Sequence, residues 1–340
     1  MKYITFTVPC YNSAPYMERC INSLLTFKNE VEIIIVDDGS TDKTPEIADQ
    51  YALLYPETVK VIHKQNGGHG SGVNTGLAHA TGKYFKVVDS DDWLDCRSLQ
   101  KVLFRIMHWE KQQKWADMIV CNYVYDHLYE NKTKSMSYKN VFKEGQMLTW
   151  NDIGIFSPSQ YLVMHSLIFR TDILKKSGVT LPEHTFYVDN IFAYRPLPYV
   201  EKIYYINTDL YHYFLGRKDQ SVNEEILKQR IDQQIYVTKL VADCVDLNEV
   251  KNKYPKLARY MTRNVSIMMA ISSIHLLLIN SEDSWRKRAD LWNYIKSNNR
   301  NLYHKLRYTT LSSFTNLPGK AGRLLTVTGY KAARKIYQFN

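Results

Sequence analysis

Three carboxylates fall within four residues at Asp89-Ser90-Asp91-Asp92, directly after the apolar run Tyr84-Phe85-Lys86-Val87-Val88. Strand formers followed by clustered acids present carboxylates at the C-terminal end of a strand, the edge where ligands bind in open α/β sheets. Three such charges repel one another unless a cation or a donor-rich ligand compensates them. Mg²⁺ or Mn²⁺ carrying a diphosphate would do so, because hard cations take oxygen ligands and are commonly shared with substrate phosphates. The same four residues also suit a solvated turn that caps a helix, since Asp is a good N-cap. Taken alone they do not decide between the two.

Three further segments share the placement after a strand. Val8-Pro9-Cys10-Tyr11-Asn12 ends the first apolar run, and Val36-Asp37-Asp38-Gly39-Ser40-Thr41-Asp42 ends the second. The third is Asn66-Gly67-Gly68-His69-Gly70-Ser71-Gly72-Val73-Asn74-Thr75-Gly76. A carboxylate such as Asp38 can accept hydrogen bonds from a base N–H or from ribose hydroxyls. A glycine-rich turn lets backbone N–H groups approach phosphates. Each segment alone reads equally as an ordinary turn or flexible loop; four in this order converge on nucleotide recognition at one rim of a sheet.

The elements that must position them alternate. Tyr3–Val8 reads as a strand, and Ser13 with Pro15 opens a helix carrying Met17, Ile21, Leu24 and Leu25 on one face. Val31–Val36 is nearly continuous and β-branched, as in a buried parallel strand. Thr44-Pro45-Glu46 starts a helix to about Leu54. Strands follow at Val59–His63, Tyr84–Val88 and Met118–Tyr125, with a helix from about Val73 to His79. Such alternation predicts a mostly parallel sheet with helices on both faces. After about Glu224 the pattern is helical, broken near Leu317-Pro318-Gly319. The expected organisation is residues 1–222 as the α/β domain and 223–340 as a C-terminal helical region.

The formal net charge of +10 is concentrated. Residues 286–340 hold 12 Lys or Arg and one acidic residue, Asp290, leaving the rest near neutral. Aromatics are interleaved with this charge, among them Trp292, Tyr303, Tyr308, Phe314 and Tyr330. Basic and aromatic residues together suit an anionic membrane surface; a solvated face packing on the core or on a second subunit reads equally well. No zinc-finger, RNP or recognition-helix signature supports nucleic acid. Five widely spaced cysteines without a Cys-x-x-Cys pair argue for a reducing, cytoplasmic setting, and the first residues run straight into a strand rather than a signal peptide. The uncharged stretch 264–281 sits at the lower limit of spanning length, and its serines and His275 favour a buried helix.

The four segments closely resemble the family 2 glycosyltransferases, inverting enzymes of the GT-A fold, over roughly residues 1–222. The resemblance implies that Pro9, Tyr11, Asn12, Asp38, Gly67, Gly68, Asn74 and Asp89 bind a UDP-sugar, with Asp38 on the uridine. It implies that Asp91 binds Mn²⁺ or Mg²⁺ bridging the diphosphate, with His212 a possible further ligand. Many members carry Arg before the Asn-x-Gly; here Val73 stands there, so Gly70, Ser71 or Lys64 would take over its contacts. The acidic pair near the family's acceptor matches Val188-Asp189, leaving Asp189 as general base or as a helix cap. Arg217, in Arg-Lys-Asp-Gln-Ser, would neutralise the leaving UDP, and His165 would line the acceptor site. The implied activity is transfer of glucose, galactose or N-acetylglucosamine to a glycan, lipid-linked saccharide or glycoprotein hydroxyl, at the inner membrane face or as a homo-oligomer. The alternative is a non-catalytic subunit that binds UDP-sugar or a partner.

Overall fold

The computed structural model describes residues 2–127, 130, 132–216 and 224–337, with side chains described to residue 332. The chain divides into two compact units, Met1–Gly216 and Arg217–Asn340. The division falls six residues before the boundary expected at 222.

The first unit alternates as the sequence predicts. It runs β1 (Ile4–Cys10), α1 (Met17–Leu25), β2 (Val31–Asp37), α2 (Thr44–Leu54), β3 (Val59–His63), α3 (His69–His79) and β4 (Tyr84–Val87). Then come β5 (Trp93–Leu94), α4 (Cys96–Gln112), β6 (Met118–His127), β7 (Lys132–Met136) and β8 (Met147–Leu148). A 3-10 turn (Met164–Ser166) leads into β9 (Leu167–Arg170), α5 (Thr171–Ser177), α6 (Asp189–Tyr194) and β10 (Ile203–Phe214). The main strand order is β3-β2-β1-β4-β9-β6-β10-β5, with β7 beside β6 and β8 beside β10.

The strands β3-β2-β1-β4 are all parallel. β9 then enters antiparallel to both β4 and β6, and β6 pairs parallel with β10 beyond it, so the whole sheet is mixed. β1 and β2 are buried along their full length, on both side-chain faces, which requires cover on both sides. On one face α3 lies unusually close to β1: a Cβ on Gly76 would stand 1.7 Å from the Thr7 hydroxyl oxygen. Helix α3 starts at His69, earlier than the expected Val73, so most of the glycine-rich segment lies within it. Helix α1 starts at Met17, one turn after Ser13, whose carbonyl accepts from Tyr16 and Met17 N–H. All five cysteines are free.

The second unit comprises α7 (Glu224–Gln229), α8 (Ile231–Asp243), α9 (Leu247–Lys253), α10 (Pro255–Ile279), α11 (Glu282–Asn298), α12 (Arg300–Tyr308) and α13 (Gly319–Tyr337). A 3-10 turn over Leu311–Asn316 marks the expected break before Gly319. α10 is long and apolar enough to cross a membrane by length and composition, but two thirds of its apolar window, 67%, is buried within the protein.

Candidate active site

The first half of the rim is a tight hydrogen-bonded junction. Asp38, at the end of β2, is buried, and its carboxylate accepts from Gly67 N–H at 2.9 Å and Gly68 N–H at 2.6 Å. The Lys64 ammonium reaches it at 2.8 Å. Gly68 has φ +83°, a conformation that side chains rarely adopt, and a Cβ there would meet the His184 backbone at 3.1 Å. Asp37 accepts from Ser40 N–H and from His63, which bridges on to Asp49. Asn12, at φ +49°, uses its side-chain oxygen to accept from Thr41 N–H at 2.9 Å. Ser13 and Ser90 hydroxyls meet at 2.7 Å, tying the end of β1 to the acidic cluster. Pro9 packs against Gly72, and Tyr11 is 55% exposed beside this junction.

The second half is crowded with charge. His69, opening α3, pairs with Asp89 at 2.8 Å. Burial opposes the imidazolium, but Asp89 beside it outweighs that and holds the His69 pKa above its ordinary value. Burial likewise opposes ionised Asp89, and His69 outweighs it to hold Asp89 low. Asp92 is fully buried; it accepts from the Tyr211 hydroxyl at 2.5 Å and Phe214 N–H at 2.8 Å. Burial, with Asp91 and Asp89 nearby, pushes its pKa well above the carboxylate range. The expected cap reading of Asp92 is corrected: α4 is capped by Asp95, which accepts from Ser98 N–H.

Behind this cluster lie a buried lysine and a half-buried histidine. The Lys86 ammonium donates to the His165 carbonyl at 2.6 Å and sits 5.0 Å from the centre of the Tyr211 ring. Burial lowers its pKa to about 7. His165 lies 4.6 Å from both the Tyr211 and Tyr213 rings, and burial lowers its pKa to about 4. Its Nδ1 is buried with no hydrogen-bond partner. Asp89, Asp92 and His165 offer ligand atoms all within 4.8 Å of one another. An orphaned imidazole nitrogen beside two carboxylates, one of them raised in pKa by like charge, fits a divalent cation.

This set differs from the expected ligands Asp91 and His212. Asp91 is not among the three. His212 hydrogen-bonds Asp126 at 3.2 Å and stacks on Trp93 at 5.1 Å. Strand alternation explains it: Tyr211 and Tyr213 face His165, so the residue between them faces the other side of the sheet. Arg217 lies outside the described residues.

Asp189 enters on a loop clipped to α3. Both halves of the Asn74 amide bind Leu181, donating to its carbonyl at 2.8 Å and accepting from its N–H at 3.0 Å. Ser71 donates to Glu183 at 2.8 Å, and His184 N–H donates to the Gly67 carbonyl at 2.6 Å. Asn74 and Ser71 thus clamp this loop to α3, and Lys64 is engaged at Asp38. Asp189 is the first residue of α6, and no side-chain cap is made at that helix start. Burial raises its pKa, with His69 opposing and Asp89 adding. Asp189, His69 and Asp89 thus sense one another's charge. Sequence reasoning missed His69, Lys86 and Tyr211; a lysine inside an otherwise apolar strand was the visible signal for Lys86.

Residues 5–169 match the sequence profile described as Glycosyl transferase family 2. Among curated relatives, glycosyltransferase GlyG of Streptococcus pneumoniae is 37% identical over 123 residues, 35% of this chain and 38% of that protein. The poly(ribitol-phosphate) beta-glucosyltransferase of Bacillus spizizenii is 28% identical over 223 residues, 64% of this chain and 32% of that protein. The chain thus spans well under half the length of these two relatives. The crystal structure of S. aureus TarS 1-349 in complex with UDP-GlcNAc superposes with a TM-score of 0.67 at 17% identity, covering 98% of this chain and 92% of that one.

Proposed function

We propose that this chain, whose residues 5–169 match glycosyl transferase family 2 and whose fold is GT-A, moves a sugar from a UDP-sugar to a hydroxyl of a bacterial surface glycan with inversion at the anomeric carbon. The observation that carries the reading is the His69–Asp89 pair at 2.8 Å on the rim, with Asp189 opening α6 near enough to act on both charges. Asp189, with its raised proton affinity, takes the proton from the acceptor hydroxyl. The new C–O bond forms as the bond to the UDP oxygen breaks, with no covalent enzyme intermediate. Asp38 accepts from the base where Lys64 now donates. Asp89, Asp92 and His165 would hold a divalent cation, which would supply Lewis-acid stabilisation of the diphosphate. The imidazolium of His69 adds positive charge on the same side.

Two relatives support the finer terms. TarS was crystallised with UDP-GlcNAc, which supports a UDP-linked donor. The B. spizizenii relative is named for a β-glucosyl product on a ribitol-phosphate polymer, and a β-linked product is what one displacement yields from an α-linked donor. The test is Asp189→Asn. Transfer should fall by at least about 100-fold, read as UDP release over a panel of donors and acceptors, with UDP affinity by calorimetry unchanged. Near-normal turnover removes Asp189 from its role. UDP binding by the wild-type chain without release from any donor makes it a non-catalytic binder instead.

The second unit supports membrane recruitment as part of this reading. Tyr308, Leu311, Phe314, Leu324 and Leu325 are exposed among Arg307, Lys320 and Arg323. Apolar side chains ringed by cations insert into the boundary of an anionic bilayer. Leu324→Asp with Leu325→Asp should abolish sedimentation with phosphatidylglycerol vesicles while leaving UDP affinity intact; undiminished sedimentation refutes it.

A further inference from the structure

A second cavity lies on the opposite face of the sheet from His165. Its volume is about 610 Å³, within the range of ligand clefts, roughly 300–1,000 Å³. Asn122, Ser135, Asn207, Asp209 and His212 line it, with Val124 among the few apolar groups. Register sets its height. Phe85 and Met118 both pair with Phe169, and β4 and β6 run the same way. Four residues along each strand bring Asp89 and Asn122 level, so the cavity stands behind the rim rather than at the foot of the sheet.

The lining is organised. Asn122 donates to Asn207 Oδ1 at 3.0 Å and Asp209 Oδ1 at 3.1 Å, and accepts from the Tyr205 hydroxyl at 2.6 Å. Ser135 donates to Asp209 Oδ1 at 2.7 Å. Asp209 Oδ2 and the Asn207 side-chain N–H groups are left without a protein partner among the described residues. β10 breaks register with β6 on both sides of Asp209, and such bulges re-aim side chains beside functional sites. An acceptor and a donor side by side match adjacent hydroxyls of a sugar ring. An apolar ligand would leave both unsatisfied, which costs free energy. An anion would meet Asp209 and Asp95 against the single cation Lys139. A metal would find Asp209 half committed and Asp95 capping α4.

We propose that this cavity is a saccharide-binding site that holds the acceptor or product glycan behind the transfer centre. The proposal rests on the glycosyltransferase reading, and its test separates the two. Wild-type protein, Ser135→Trp and Asp209→Asn are applied to a microarray of bacterial surface oligosaccharides, and UDP affinity is measured on each by calorimetry. Ser135 is exposed on β7, so tryptophan there fills the cavity without entering the core; Asp209→Asn is the near-isosteric second variant. The expected result is oligosaccharide retention by the wild type, reduced at least tenfold in both variants, with UDP affinity unchanged throughout. Retention by neither wild type nor variants, or equal retention by all three, overturns the site. Loss of UDP binding in the wild type would instead overturn the donor reading.

Discussion

The two acidic groups on the sheet rim are built in opposite ways. At the end of β2, Asp38 is surrounded by donors: two glycine N–H groups and an ammonium within 3 Å. At the end of β4, Asp89, Asp92 and Asp189 are crowded with two half-buried histidines, and the proton affinities of Asp92 and Asp189 are raised. The first is a finished junction whose carboxylate contributes to the fold by being satisfied. In the second, burial and then neighbouring carboxylates raise the proton affinity of Asp92 and Asp189, a cost that a bound cation would relieve. Ligand-dependent free energy therefore concentrates at the β4 end, and rigidity at the β2 end.

The sharpest way to break this contrast is at Asp189, where Asp189→Asn should remove at least about 100-fold of transfer and no UDP affinity. An equal loss at a β2-end residue such as Asp37, with Asp189→Asn unaffected, would reverse the assignment. Asp92 comes next. Asp92→Asn keeps acceptor capacity for Tyr211 and Phe214 N–H but removes the carboxylate a cation needs. Mn²⁺ affinity, read by electron paramagnetic resonance titration, should fall at least about tenfold with the melting temperature held or raised, since a strained charge site is relieved. Unchanged Mn²⁺ affinity would take the cation off the Asp89–Asp92–His165 set. Gly68→Ala works at the other end. It forces a side chain into φ +83° against the His184 backbone, costing about 1–3 kcal/mol by urea denaturation. Melting unchanged by that substitution would show that the β2 junction is not rigid.

The two ends also differed in how much of them could be read from residues alone. The β2 end is local: a strand, two aspartates and a glycine-rich segment lie within residues 31–76, and each announces its backbone role by type. Asp38 and Gly68 were legible there, although the helical start at His69 was hidden because glycines read as loop. The β4 end is assembled across the sheet. Tyr211 and Phe214 reach Asp92 from 119 and 122 residues away, and His165 arrives only because β9 inserts antiparallel beside β4. No spacing within the Asp-Ser-Asp-Asp run distinguishes the buried third aspartate from the others. The face that His212 serves is hidden for the same reason: one residue of strand alternation decides it, and the bulges in β10 reset that count.

The smallest expected effect isolates the satisfied kind of carboxylate from any ligand. Glu32, at the opposite end of β2 from Asp38, is buried and bonded to Thr5, Lys60 and Thr81 N–H. Burial opposes its charge, but those donors outweigh it and hold its pKa below the ordinary 4.5. A folded pKa below the unfolded one contributes stability that is present above pH 4.5 and is lost as pH falls through the folded value. Glu32→Gln should therefore lower stability by about 1 kcal/mol at neutral pH, kept small because Lys60 is half exposed, and flatten the fall in stability below pH 4.5. Asp92→Asn should not show this signature, because the raised pKa of Asp92 makes its ionised form a cost rather than a support near neutrality. Thermal melts of the two variants from pH 3 to pH 8 would decide it. Parallel curves would mean that the crowded and satisfied carboxylates contribute alike, and the contrast between the two ends of the rim would fail.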